Sequence, residues 1–150
     1  MKKTILIGSD HAGLELKSSI KQALSDEYSV RDVGPFDTTS VDYPDFGERV
    51  ANAVAKDPNA EGILICGSGI GMSISANKVP GIRAALVYTV EAAKLARQHN
   101  NANILCLGAR MTNPTLASEL VKTWLSEKFE GGRHQNRLDK IKNLEKKGCS

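Results

Sequence analysis

Residues 62–71 have the sequence GILICGSGIG, a short apolar run that ends on Cys66 and enters a glycine-rich loop. An apolar run of this length that is bounded by glycine is typical of a buried β-strand. The glycines allow backbone N–H groups to crowd a ligand or a developing negative charge. Partial positive charge on such groups favours the thiolate form of a neighbouring cysteine. The segment therefore predicts a base or nucleophile beside an anion-binding loop.

Four further apolar runs alternate with segments of helical periodicity. This alternation favours βαβ units, in which helices cover both faces of a parallel sheet. We predict one α/β domain over residues 1–150, built as a three-layer α/β/α sandwich on a Rossmann-like, five-stranded parallel sheet. Gly131-Gly132 precedes a charged final helix, which we expect at about residues 135–147. The four further runs lie at residues 5–7, 28–33, 83–87 and 104–107.

The composition is that of an ordinary soluble globular protein, with 41% hydrophobic and 25% charged residues among 150. A net charge of +3 is too small to indicate a nucleic-acid partner. No apolar run approaches the roughly 20 residues that cross a bilayer. Polar residues from Ser9 onward end the first run too early for a signal peptide. We therefore expect a cytoplasmic protein with neither a nucleic-acid nor a membrane partner.

The three cysteines, Cys66, Cys106 and Cys149, have neither zinc-site spacing nor a disulfide framework. Cys66 and Cys106 both end apolar runs, which indicates reduced thiols in the cytosol. We predict no metal site, because no set of His, Cys, Asp and Glu residues has metal-ligand spacing. Cys106 is interpreted as a small buried hydrophobe. For Cys66 that interpretation is the alternative to a functional thiolate.

Polar residues follow several of the predicted strands. Ligands of open parallel sheets bind beyond the carboxyl ends of the strands, so we expect Asp10, His11, Cys66, Ser68 and Arg110 at one edge. Asp10 could instead only cap the helix that follows it. The glycine loop is not a P-loop, since no Gly-Lys-Ser/Thr follows. A cysteine replaces the first glycine of a Gly-x-Ser-x-Gly elbow, which disfavours acyl transfer by Ser68.

Other polar residues have two interpretations each. His99 could end the fourth helix, where a histidine favours the negative end of the helix dipole, or it could take part in catalysis. Arg133 and Arg137 are one helical turn apart and could grip one phosphate, although solvated surface arginines fit the pattern equally well. Tyr43 belongs to a polar loop, in which it is either structural or leans over the site.

Six segments, taken together and in this order, resemble the family of type B ribose-5-phosphate isomerases. They extend over nearly the whole chain, and their coincidence is far more specific than any single segment. The wider family also includes allose-6-phosphate and galactose-6-phosphate isomerases, so the resemblance supports the fold and reaction type more strongly than the sugar. The segments are GSDHAG at residues 8–13, DYPD at 42–45, ICGSGIG at 65–71, ANK at 76–78, RQHN at 97–100 and GGRH at 131–134.

The resemblance implies an aldose–ketose isomerase of the pentose phosphate pathway that works through a cis-enediol, with no metal or organic cofactor. Cys66 would move a proton between C2 and C1 of ribose 5-phosphate or ribulose 5-phosphate, and Ser68 would move one between the two oxygens. His99, with Asp10 and Tyr43 nearby, would open the furanose ring. The implied substrate contacts are backbone N–H groups of Gly67, Gly69, Ile70 and Gly71 to the enediolate, Asn100 to a sugar hydroxyl, and His11, Arg110, Arg133 and Arg137 to the phosphate.

The same resemblance implies a sheet order of 2-1-3-5-4 and a homodimer, with further pairing into a homotetramer in some members. Each site would take His99, Asn100 and Arg110 from the neighbouring subunit. The chain departs from some relatives at two positions. Ser68 replaces a threonine and loses the methyl group that restrains the hydroxyl. Met72 stands where relatives without the cysteine carry a glutamate base, so no carboxylate competes for the base role.

Three alternatives to a ribose-5-phosphate isomerase stay open at this point. The first keeps the chemistry and changes the substrate to allose 6-phosphate or galactose 6-phosphate. The second is a non-catalytic sugar-phosphate-binding module, which would not need Cys66 and His99 together. The third, a thiol redox protein, is weak because the chain contains no Cys-x-x-Cys.

Overall fold

The computed structural model describes residues 2–148, and within them five strands form one parallel sheet. The strand order is β2-β1-β3-β5-β4, which confirms the predicted fold class. The predicted runs all form strands, whose ends differ from the predicted ones by a few residues. The strands are β1 (Thr4–Ser9), β2 (Ser29–Asp32), β3 (Ala60–Cys66), β4 (Ala84–Leu86) and β5 (Ile104–Gly108).

Helices connect the strands and cover both faces of the sheet. The final helix begins two residues earlier than predicted, and Arg133 is its first residue. Cys149 lies outside the described residues. None of the helices within residues 2–148 is long and apolar enough to cross a membrane. The helices are α1 (Leu14–Leu24), preceded by a 3-10 turn at His11–Gly13, α2 (Tyr43–Lys56), α3 (Ile70–Ala76), α4 (Val90–Gln98), α5 (Pro114–Ser126) and α6 (Arg133–Gly148).

Alternate residues of each central strand face opposite layers, because successive side chains of a strand point to opposite sides. Ile63 and Ile65 of β3 pack with α1, α4 and α5, whereas Leu64 and Cys66 pack with α2 and α3. Coverage on both faces explains why the strands are continuous apolar runs. Cys106 is fully buried, and its burial raises the pKa of its thiol well above the usual range. Its interpretation as a buried hydrophobe is confirmed.

The prediction that Tyr43 lies in a loop is wrong, because Tyr43 is the first residue of α2. Pro44 follows it in the first helical turn, where the fixed φ of proline suits the helix and its missing N–H has no intrahelical partner to lose. Two other helix starts use side-chain caps. Thr89 accepts a hydrogen bond from the N–H of Ala92, and Asn113 accepts one from Leu116.

The parallel topology gives the sheet two functionally distinct edges. We call the edge beyond the last residues of β1, β3 and β5 the carboxyl edge, and the opposite one the amino edge. The segment at residues 99–103, between α4 and β5, lies at the amino edge. There the carbonyl of Asn103 accepts from the N–H of Gly62, and its own N–H donates to the carbonyl of Arg83, just before β4.

Candidate active site

Cys66 is the last residue of β3, and its side chain is 4% exposed. Its Sγ accepts a hydrogen bond from the backbone N–H of Gly69 at 3.2 Å. The loop can turn back on the sulfur because Gly69 has φ +82°, a left-handed conformation that favours glycine. A backbone N–H aimed at Sγ stabilises negative charge on the sulfur. The thiol and the glycine loop therefore form the predicted combination of a base and an anion-stabilising N–H.

Two further glycines of the loop are in contact with the side chains that cover it. A Cβ atom at Gly71 would lie 2.4 Å from ring atoms of Tyr43, and one at Gly67 would lie 3.2 Å from the Arg110 guanidinium carbon. Tyr43 and Arg110 therefore reach the glycine loop of their own chain. For Arg110 this differs from the family resemblance, which implies a neighbouring subunit as its source.

Ser68 is half-buried, and both of its oxygens accept hydrogen bonds. Its Oγ accepts from the N–H of Ile70 at 3.2 Å. Its carbonyl accepts from the hydroxyl of Tyr88, with an Oη–O distance of 2.6 Å. Tyr88 was not predicted, because a tyrosine two residues after β4 has no sequence signal that connects it to a loop 20 residues earlier.

Asp10 and His11 follow β1 at the same edge. The Asp10 carboxylate is buried and accepts from the N–H groups of Ala12 and Gly13 at 3.0 and 3.2 Å, so it caps the 3-10 turn that precedes α1. Its backbone N–H donates to the carbonyl of Ile65, beside Cys66. His11 Nδ1 accepts from the N–H of Val41 at 3.2 Å. The neutral His11 ring therefore carries its hydrogen on Nε2, which is free to donate to an anion.

The remaining predicted site residues gather at the amino edge, around the start of α6. The ring of His99 stacks on that of His134, with centroids 4.2 Å apart and planes 14° apart. Glu130 Oε1 lies 3.7 Å from Nε2 of His99 and 3.5 Å from Nε2 of His134. Burial, the neighbouring His99 and the guanidinium of Arg133 lower the pKa of His134. Arg133 and Arg137 are exposed on the first turns of α6, as a phosphate grip requires.

Arg97 holds the chain that carries His99 in place. It is 7% exposed, pairs with the buried Glu61 and donates to the carbonyls of Ala102 and Trp124 at 3.1 and 3.3 Å. It also donates to Oδ1 of Asn101, which has a left-handed φ of +43°. This network fixes the turn that presents His99 and Asn100, and its role was not predicted.

His99, Glu130 and His134 bring three potential metal-ligand atoms together, which sequence spacing did not reveal. Their ligand atoms lie within 4.8 Å of one another. The lone pair of each imidazole nitrogen lies in the plane of its ring, so two stacked, nearly parallel rings do not direct both lone pairs at one ion. Arg133 and Arg137 add positive charge nearby. The geometry is that of a stacked histidine pair beside a carboxylate rather than of a metal centre.

A single chain therefore does not bring all the predicted site residues together. Asp10, His11, Tyr43, Cys66–Gly71 and Arg110 lie at the carboxyl edge, whereas His99, Asn100, Arg133 and Arg137 lie at the amino edge. Ile104 is level with Gly62 and Gly108 with Cys66, so four residues of strand separate the two edges. At 3.3 Å per residue this separation is about 13 Å.

The fold and the carboxyl edge define an α/β protein with a thiol at the entrance to an anion-stabilising glycine loop. Residues 5–141 match the sequence model of the Ribose/Galactose Isomerase family, and the chain belongs to that family. This membership confirms the resemblance that the six segments indicate.

Named relatives agree over nearly the full length. Ribose-5-phosphate isomerase B of Escherichia coli is 42% identical over 146 residues, which cover 97% of this chain and 98% of that protein. The structure of Clostridium thermocellum ribose-5-phosphate isomerase B matches with a TM-score of 0.93 at 51% identity, covering 96% of this chain and 98% of that one. The structure of Mycoplasma genitalium ribose-5-phosphate isomerase B, solved with bound ribulose 5-phosphate, matches with a TM-score of 0.92 at 47% identity. The match covers 95% of this chain and 96% of that one.

Proposed function

We propose that the protein interconverts ribose 5-phosphate and ribulose 5-phosphate, as an aldose–ketose isomerase of the pentose phosphate pathway. The observation that carries the proposal is the N–H of Gly69, which is directed at Cys66 Sγ beside a glycine loop. Relatives named ribose-5-phosphate isomerase B, one of them solved with bound ribulose 5-phosphate, support this choice of substrate.

The reaction moves one proton between adjacent carbons. The Cys66 thiolate removes the proton from C2 of the open-chain aldose, the C1=C2 bond forms, and the electron pair of the carbonyl bond moves to O1. O1 is protonated, which gives the cis-enediol. O2 then loses its proton, the carbonyl forms at C2, and the thiol returns its proton to C1. Ser68 Oγ carries the proton between O2 and O1, and the N–H groups of residues 67–71 stabilise the charge on oxygen.

Residues from both edges bind the sugar phosphate in this proposal. His99 opens the furanose ring by proton transfer, assisted by Asp10 and Tyr43. Asn100 binds a sugar hydroxyl. The phosphate is held by His11 through its Nε2–H and by the guanidinium groups of Arg110, Arg133 and Arg137, whose planar forks suit phosphate oxygens. No metal or organic cofactor takes part.

We further propose that the active sites form between two copies of the chain, in a cytoplasmic homodimer. Residues from edges about 13 Å apart can meet at one sugar if the amino edge of one copy approaches the carboxyl edge of the other. Apolar side chains beside the glycine loop support such an interface, since Ile70, Ile74 and Met111 are each more than half exposed. Pairing of dimers into a homotetramer would use other surfaces.

The experiment that tests the function measures kcat/KM for ribose 5-phosphate, allose 6-phosphate and galactose 6-phosphate, with wild type and Cys66→Ala. We expect ribose 5-phosphate to be the preferred substrate. Removal of a general base lowers kcat by roughly 10²–10⁴-fold. The variant should keep its fold, as checked by circular dichroism, and should still bind the sugar phosphate. Ordinary turnover by Cys66→Ala would contradict the mechanism.

A six-carbon sugar phosphate is the second candidate substrate, because the matching family includes galactose isomerases. A higher kcat/KM for either six-carbon sugar would favour it over ribose 5-phosphate. A binding module without catalysis is tested separately in D₂O. An isomerase exchanges the C1 proton of ribulose 5-phosphate with solvent, whereas a binding module leaves it in place.

A further inference from the structure

The peptide group between Ser68 and Gly69 is hydrogen-bonded at both ends. Its N–H donates to Cys66 Sγ at 3.2 Å, and its carbonyl accepts from the hydroxyl of Tyr88 at 2.6 Å. The C=O and N–H of a trans peptide lie in one plane and point in opposite directions, so the two partners lie beyond opposite edges of this planar group. Tyr88 is therefore connected to the sulfur through a single rigid group.

The conformation of this peptide group needs a restraint. Gly69 adopts φ +82°, and glycine populates positive and negative φ about equally. Rotation of the peptide by half a turn would direct the Ser68 carbonyl oxygen, instead of an N–H, at the sulfur. That arrangement opposes a thiolate, because a carbonyl oxygen carries partial negative charge. The hydrogen bond from Tyr88 opposes this rotation.

The last residue of β5 also lies close to this carbonyl. A Cβ atom at Gly108 would lie 2.6 Å from the Ser68 oxygen. The bond from Tyr88 also polarises the peptide, and hydrogen bonds in series strengthen one another. The N–H of Gly69 becomes a better donor to the sulfur when the carbonyl of the same peptide accepts a hydrogen bond.

We propose that Tyr88 is a positioning residue for Cys66: its hydroxyl fixes and polarises the Ser68–Gly69 peptide, so that the Gly69 N–H stabilises the thiolate. Tyr88 acts through the peptide and does not itself contact the sulfur. Its effect on turnover rests on the proposed isomerase function, whereas its effect on the reactivity of the thiol does not. The titratable groups that face the loop and the thiol from other elements are Arg110 against Gly67, Tyr43 against Gly71 and Cys106 on β5, and Tyr88→Phe alters none of these side chains.

Tyr88→Phe removes the donor and keeps the ring. The primary measurement is the rate at which iodoacetamide alkylates Cys66, followed across pH by mass spectrometry of the peptide that contains this residue. The thiolate sulfur displaces iodide, so the rate follows the thiolate fraction. We expect the midpoint of this profile to move about 0.5–1 pH unit higher, which is the effect of one hydrogen bond. The rates at high pH should be the same for both proteins.

The second measurement is isomerase turnover across pH. Tyr88→Phe should lower kcat about three- to tenfold at pH 7, with recovery as the pH rises. Tyr28→Phe is the matched control, because Tyr28 lies just before β2 and packs with the α1, α4 and α5 layer. It should leave the alkylation profile and kcat unchanged.

An unchanged alkylation midpoint in Tyr88→Phe would overturn the proposal, even if turnover fell, because a lower kcat at every pH indicates only a structural role. If the alkylation midpoint shifts in Tyr88→Phe but Cys66→Ala is still an active isomerase, Tyr88 does position the peptide that stabilises the thiolate. The base role of Cys66 would then be contradicted. If the variant is only partly folded, NMR of the folded fraction provides the test, through the chemical shift of the Gly69 amide proton. Its chemical shift should move upfield when the hydroxyl is removed, and no change would overturn the proposal.

Discussion

Gly71 has no room for a side chain, because the ring of Tyr43, a proposed substrate contact, lies against it. A methyl group there would overlap the ring of Tyr43, with contacts of 2.4 Å to two ring atoms. The Tyr43 side chain is 39% exposed and can move into solvent. We predict that Gly71→Ala keeps the fold but displaces this ring, and raises KM for ribose 5-phosphate several-fold. Steady-state kinetics and circular dichroism on the same preparation measure both effects.

A double-mutant cycle provides the control for this residue. In a Tyr43→Ala background the added methyl group meets no ring, so Gly71→Ala should change KM little. Equal effects of Gly71→Ala in the two backgrounds would mean that the methyl group acts on the substrate or on α3 rather than through Tyr43.

Apart from Tyr43, the residues at the carboxyl edge could be predicted from sequence, because each ends a strand or follows one within five residues. Asp10, His11 and Cys66 needed only the strand ends and the rule for parallel sheets. The partners that orient them could not be predicted. The N–H of Val41 on His11 and the hydroxyl of Tyr88 on Ser68 depend on how separate loops fold over one another. Arg110 was assigned to the correct edge, whereas the resemblance assigned it to the neighbouring subunit and its guanidinium lies against Gly67 of its own chain.

At the scale of elements, a buried ion pair connects α1 to β2. Asp32 accepts hydrogen bonds from Lys17 and Lys21, both at 2.9 Å, and from the N–H of Gly34 at 2.8 Å. The Lys17 side chain is 1% exposed. Burial alone would raise the pKa of Asp32, but these three hydrogen bonds outweigh it and hold the pKa below its usual value. Asp32 is therefore charged in the folded protein at neutral pH.

We predict that Asp32→Asn lowers the free energy of unfolding by about 3 kcal/mol at pH 7, because it leaves the Lys17 ammonium buried without a counter-charge. Urea denaturation measures the loss. The folded-state pKa of Asp32 is depressed, so its contribution is complete above the unfolded value of 3.8 and disappears as the pH falls through the folded value. The difference between wild type and variant should therefore shrink in acid.

Lys21→Met is the matched control for this ion pair. The Lys21 side chain is 38% exposed, so its bond to Asp32 is screened by solvent and its loss should cost less than about 1 kcal/mol. A similar loss of stability in Lys21→Met and Asp32→Asn would contradict the role of the buried Lys17 charge.

The elements themselves were largely predictable, because five apolar runs and the intervening helical periodicities correspond to the observed strands and helices. Periodicity does not give the order of strands, which depends on contacts distant in sequence, and here the order came from the family resemblance. The apolar periodicity did not give the first residue of α2. The proline at residue 44 indicates a boundary between loop and helix, but not on which side of it Tyr43 lies.

At the scale of the whole molecule, the proposed site is divided between two chains. We predict that Cys66→Ala and His99→Asn chains, each inactive alone, recover activity when unfolded and refolded together. In a mixed dimer one site has both changes, and the other combines a native Cys66 with a native His99. Random pairing makes half of the dimers mixed, so activity should reach about a quarter of the wild-type value.

The control mixes two variants from the same edge, Cys66→Ala and His11→Ala. Each site of their mixed dimer carries one of the two defects, so activity should not exceed the average of the parents. Recovery in neither mixture would contradict sharing of the sites between chains, and recovery in both would contradict the assignment of His11 to the same chain as Cys66.

The separation of the two edges also affects when a newly synthesised chain becomes active. The sheet and both cores of residues 2–148 are formed from the residues of one chain. In the proposed homodimer, catalytic competence requires in addition the encounter of two folded chains, a second-order step whose half-time lengthens on dilution. Newly made chains in a dilute compartment would thus spend a period as folded, inactive protomers, with the apolar surface around Ile70 and Ile74 still exposed to solvent.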